Sequence, residues 1–98
     1  MNQYMVIMTL PEVVNDEFIL LIPRQRARIN HLLDDGVVRS YSLALDRSRL
    51  WAIVQGKSAE EVMNIVAEFP IRKFVNVEIA ELEFHNTTIS ALLAVSMN

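Results

Sequence analysis

The chain has 98 residues and contains no cysteine, only two glycines and only two histidines. Without cysteine there is no disulfide, no thiol nucleophile and no thiolate-held metal, a pattern that fits a reducing cytoplasm. With Gly36 and Gly56 as its glycines, the chain cannot build a glycine-rich phosphate loop, and it has no G-x-S-x-G nucleophile elbow. No apolar run approaches the roughly 18 residues of a membrane span. The start, Met1-Asn2-Gln3-Tyr4, lacks the basic segment and apolar core of a secretion signal, so we expect a cytoplasmic protein that does not engage a membrane. The net charge of -3 leaves no basic footprint for nucleic acid. His31 and His85 are far apart and have no acidic ligands at metal-site spacing, so no metal and no cofactor are expected.

The chain is instead rich in apolar residues, at 52% against 21% charged. That excess in one small domain, residues 1–98, implies a core plus a sticky surface, most simply the interface of a homodimer or a larger homo-oligomer. Residues 3–10 alternate and end at Pro11, which predicts a strand. A helix is predicted over 14–35, with Asn15 or Asp16 as its cap, Gly36 as its stop, and a kink or break at Pro23. Two strand-like runs, 37–45 and 49–56, flank the polar hairpin loop Asp46-Arg47-Ser48. Ser58 and Glu61 read as a capping box opening a second helix to about Ala67, and 74–84 reads as the last strand. The order β-α-β-β-α-β is the ferredoxin-like α+β arrangement, an antiparallel sheet with both helices on one face. Its other face needs a cover, and a second copy of the sheet gives a dimeric α+β barrel. The tail, residues 86–98, carries the apolar run Ile89-Ser90-Ala91-Leu92-Leu93-Ala94-Val95 and is expected to dock on a partner subunit.

Glu78 stands in the middle of an apolar strand, where a carboxylate is costly unless paired or used. Alternation puts Asn76, Glu78 and Ala80 on one face and Val75, Val77 and Ile79 on the other, so Glu78 faces away from the helices. Such a carboxylate suits a general base that moves a proton alpha to a carbonyl, and it equally suits an ion pair across an interface. Arg39 offers a fork of donors to a substrate carboxylate, or a partner for Glu78. Tyr41, two residues on and read on the same strand face, can present a phenol to a carbonyl oxygen, and Trp51 can line a pocket. His85 is a further candidate for proton transfer. Arg24 and Arg28 share a helix face that reads as solvated.

Phe69-Pro70, then Val75-Asn76-Val77-Glu78-Ile79, then Leu82 and His85, resemble the C-terminal signature of the muconolactone Δ-isomerases. Leu10-Pro11 after the first strand and Gly36-Val37-Val38-Arg39 are similar to that family's corresponding segments, and the likeness runs from about Gln3 to Thr88. It implies a ferredoxin-like fold in dimeric barrels and a cofactor-free proton shift in an unsaturated lactone during aromatic catabolism, with Arg39, Glu78 and His85 at matching positions. The family's His and Trp after that Arg stand here as Ser40 and Ser42, and its acidic, lysine-rich first-helix start stands as Arg24-Gln25-Arg26-Ala27-Arg28. Three functions stay open: a small isomerase, a non-catalytic dimeric-barrel protein binding a small ligand, and another small enzyme on this scaffold, monooxygenase-like or YCII-like. The first requires Glu78 and Arg39 to converge in an apolar pocket.

Overall fold

The computed structural model describes residues 2–85; the tail and its predicted docking lie outside the described residues. The elements run β1 (Asn2–Thr9), α1 (Asp16–Asp34), β2 (Val38–Leu43), β3 (Arg49–Gly56), α2 (Ala59–Ala67), a single 3₁₀ turn (Arg72–Phe74) and β4 (Asn76–Leu82). All strand pairs are antiparallel and the sheet order is β2-β3-β1-β4, the predicted ferredoxin-like topology. The most apolar strands, β1 and β3, occupy the centre. Their inward residues Tyr4, Val6, Met8, Leu50, Ala52 and Val54 form the core with Phe18, Ile29 and Leu32 of α1 and Val62 and Val66 of α2. Each buried Val, Leu, Ile, Met or Phe among them contributes on the order of 1.5–3 kcal/mol by leaving water.

Local chemistry sets the element ends. Asn15 caps α1 by accepting from the Phe18 N–H at 2.9 Å. Gly36, at φ +76°, ends it: its N–H reaches the Leu33 carbonyl and the Val37 N–H reaches the Leu32 carbonyl, the paired bonds of a Schellman motif. The break expected at Pro23 does not occur: α1 runs through it as one continuous helix of 19 residues. Pro23 denies an N–H only to the Ile19 carbonyl, on the exposed side of the helix where water can serve it. In the hairpin, Asp46 Oδ1 accepts from both the N–H and the hydroxyl of Ser48, which holds the carboxyl of Asp46 below its ordinary range. Arg47 takes the left-handed position at φ 63°. Ser58 accepts from the Glu61 N–H, while the Glu61 carboxylate reaches back to the Lys57 N–H.

The strand β2 departs from simple alternation. Val38 pairs with Val54, but Ser40 pairs with Ile53, so Arg39 is the extra residue of a bulge. Downstream of it Tyr41 and Leu43 lie opposite Ala52 and Leu50, on the helix side, and Ser40 and Ser42 lie opposite Ile53 and Trp51, on the outer side. The outer face carries a central apolar band, Met5, Ile7, Trp51 and Ile53, edged by Gln3, Gln55, Ser42 and Glu78.

Candidate functional site

A cavity of about 620 Å³ opens between the first half of α1 and the helix side of the sheet. That volume lies in the range of sites for small molecules. Its walls are mainly apolar: Leu10 and Pro11 at the exit of β1, Phe18 and Ile22 of α1, Leu50 of β3, and Ile71. Phe18 is held by an edge-to-face contact with Phe74, centroids 5.5 Å apart. Lys73, beside that ring, pairs with Glu17 at the start of α1 and ties the helix entrance to the turn before β4.

The polar groups of the cavity are few. Gln25 and Tyr41 form a pair on its wall, and the guanidinium-bearing residues Arg26 and Arg47 also line it. Gln25 is 5% exposed, the one polar residue among the described residues to be buried as a whole. Its Nε2 donates to the Tyr41 hydroxyl at 3.2 Å, and its Oε1 accepts from the Ile71 N–H at 3.4 Å. Burial raises the Tyr41 pKa above its ordinary value of 10.0, and the bond from Gln25 draws it back in part. The phenol is therefore neutral at physiological pH and able to donate.

The structure distributes the sequence-predicted residues widely. Tyr41 reaches the cavity, but on the face opposite to the one read for it beside Arg39. The bulge at Arg39 inverts the alternation that had put the two together. Arg39 is exposed on the edge strand β2, with its guanidinium 3.5 Å from Gln55 Oε1. Glu78 is exposed on β4, the opposite edge, on the outer face as read from its alternation and directly opposite Ile7. The expected convergence of Arg39 and Glu78 does not occur within one chain. The split β-α-β order places β2 and β4 at the two edges, three strand spacings or roughly 14 Å apart. His85 lies half-buried beyond the end of β4. Trp51 is on the outer face beside a shallow, open hollow of about 450 Å³ at the β2–β3 hairpin, away from the main cavity.

Gln25 was not among the residues singled out from sequence, although a signal for it exists. It stands seven residues after Phe18 and four before Ile29, in the middle of the stripe that α1 buries. A polar residue in such a stripe must find partners, and those partners mark the cavity wall.

Fold and cavity together define a small ferredoxin-like α+β protein with a ligand-sized chamber between its first helix and its sheet. The model of the muconolactone delta-isomerase family matches residues 3–88, and the chain belongs to that family. A crystal structure of muconolactone isomerase at 3.3 Å resolution superposes with a TM-score of 0.70, covering 89% of this chain and 94% of that one. The two sequences are 18% identical, so this likeness speaks for the fold. No curated protein matches the chain. Among the described residues no helix is long and apolar enough to cross a membrane.

Proposed function

We propose that the protein is an isomerase-like member of this family acting on a compact, unsaturated, carboxylated ring such as a lactone of aromatic catabolism. The observation that carries this reading is the cavity itself, an apolar chamber with one neutral phenol on its wall and two guanidinium groups among its lining residues. Arg26 and Arg47 supply the charge complement for a carboxylate. The ring is held by the apolar walls, and its carbonyl lies within reach of the Tyr41 hydroxyl. A proton shift then needs a group that removes the alpha proton and a donor for the charge that moves onto the carbonyl oxygen. Tyr41 supplies the donor, and such a shift requires no cofactor.

Glu78 lies on the outer sheet face and the chamber on the helix side, so the base is Glu78 of a neighbouring copy brought to the chamber mouth, with Arg39 and His85 as further charged and proton-carrying groups. The apolar band on the outer sheet face and the size of the chain support association of copies in general. A second reading, binding without turnover, is favoured by one observation: among the described residues no carboxylate or imidazole lines the cavity.

Incubation of the purified protein with muconolactone, followed by the ultraviolet signal of the enol-lactone, separates the two. Turnover that is lost in Glu78→Ala and reduced in Tyr41→Phe supports the isomerase. Saturable binding with no turnover leaves the ligand-binding protein. Absence of both removes the cavity from consideration.

A further inference from the structure

We infer that Gln25 is a positioning residue that fixes the direction of the Tyr41 hydroxyl, so that the cavity selects ligands presenting a carbonyl-type oxygen acceptor. The inference rests on the cavity being the ligand site. Three groups on three different segments form a chain of hydrogen bonds whose polarity is set at one end. The Ile71 backbone N–H can only donate, and it meets a Gln25 side-chain oxygen at 3.4 Å. That contact decides which end of the Gln25 amide is oxygen, a choice otherwise open for an amide side chain. The other end is the NH₂ group, which can only donate, and it lies 3.2 Å from the Tyr41 oxygen.

Tyr41 therefore receives its bond from Gln25, and its own O–H has no acceptor among the described residues. The amide is buried and Tyr41 lines the cavity, so the free hydrogen is available to what the cavity holds. A ligand with an acceptor oxygen at this place completes the chain. A ligand with a methylene there leaves a half-buried donor unsatisfied, a loss of about threefold to tenfold in affinity for one neutral hydrogen bond. A ligand hydroxyl is accepted only through its lone pair. The relay thus discriminates by hydrogen-bond polarity as well as by shape.

Two arms test this. In the first, ligand-free arm, a Tyr4→Phe background leaves one phenol, whose ionisation is followed by tyrosinate absorbance. Gln25→Met removes a donor to the phenolate, so the Tyr41 pKa moves further up. If Tyr41 instead donated to Gln25, the same change would move it down, and that result overturns the inference. In case Gln25→Met does not fold, the Gln25 side-chain amide protons are followed by NMR in the Tyr4→Phe protein. They shift with the phenol titration if they point at the phenol oxygen, and indifference to it overturns the inference.

In the second arm, binding of (5-oxotetrahydrofuran-2-yl)acetic acid is compared with that of (tetrahydrofuran-2-yl)acetic acid, which lacks the ring carbonyl. The expected preference for the carbonyl compound, about threefold to tenfold, disappears in Tyr41→Phe and shrinks in Gln25→Met. A purely structural role for Gln25 would weaken both acids alike. An unchanged preference in Tyr41→Phe overturns the proposed selectivity while leaving the cavity as a binding site. Binding of neither acid to the unaltered protein overturns the cavity reading and the selectivity together, and the titration arm still decides the direction of the Gln25–Tyr41 bond.

Discussion

Gly56 ends β3 directly under α2, and the replacement Gly56→Ala tests how tightly the sheet and that helix are packed. Its backbone is outside the left-handed region, so alanine meets no conformational obstacle there. The obstacle is spatial: a Cβ at this position would lie 2.8 Å from Cγ2 of Val62. Carbon atoms rest at about 3.5–4.0 Å, so roughly 1 Å must be absorbed. Val62 is fully buried, and a β-branched side chain in a helix has one favoured rotamer, so α2 itself has to move. Overpacking of this kind costs about 1–3 kcal/mol. The loss of glycine freedom in the unfolded chain returns about 0.4–1 kcal/mol. A net destabilisation of about 1–2 kcal/mol follows, equivalent to a fall of roughly 4–15 °C in Tm for a domain of this size. Val62→Ala alone costs about 2–3 kcal/mol by lost burial and the cavity it leaves. In the double variant the new methyl occupies space that the valine vacated, so the costs do not add, and a favourable coupling of about 0.5–3 kcal/mol is expected. Urea unfolding at one fixed protein concentration measures all four corners of this cycle. A Gly56→Ala protein as stable as the parent, or strict additivity in the double variant, refutes the packing argument.

Ser58→Ala removes the acceptor for the Glu61 N–H and is expected to cost about 1 kcal/mol in urea unfolding. Tyr41→Phe should lower kcat on muconolactone by about 10²-fold if the phenol carries the developing charge, with KM moving much less. Because the folded Tyr41 pKa lies above its unfolded value of 10.0, its contribution to stability is fully present below pH 10.0 and is lost as pH rises through the folded value. Thermal unfolding across the alkaline range should show that decline, and it should flatten in Tyr41→Phe. Sedimentation velocity should find a dimer or larger particle, and Trp51→Glu, which puts a charge into the outer apolar band, should shift it toward monomer.

Most of the fold is legible in the sequence because short-range chemistry specifies it. The Asn15 and Ser58 caps, the left-handed Gly36 and the alternation of β1 and β3 each act within a few residues, and they jointly dictate the element order. Pro23 misleads because the exposed side of a long helix tolerates a missing hydrogen bond that an isolated proline rule counts as a break. The candidate site is less legible, for two physical reasons. An extra residue in β2 leaves no mark in composition, yet it decides on which side of the sheet Tyr41 emerges. Proximity between strands depends on sheet order, so Arg39 and Glu78, plausible partners in a one-dimensional reading, end on opposite edges. Gln25 was readable in principle as a polar interruption of a buried helical stripe, but its partners Tyr41 and the Ile71 N–H come from distant segments.

The bulge at Arg39 also bears on how this scaffold can diverge. Upstream of it, Val38 is held in phase by the end of α1 and the turn at Gly36. Downstream, Tyr41 and Leu43 are held in phase by the hairpin with β3. The extra residue lets both constraints hold at once, so a gain or loss of one residue between Val38 and Ser40 changes the bulge and leaves the chamber wall in place. Length drift in the connection from helix to strand is thereby uncoupled from the chemistry of the chamber, and lineages can vary one without disturbing the other.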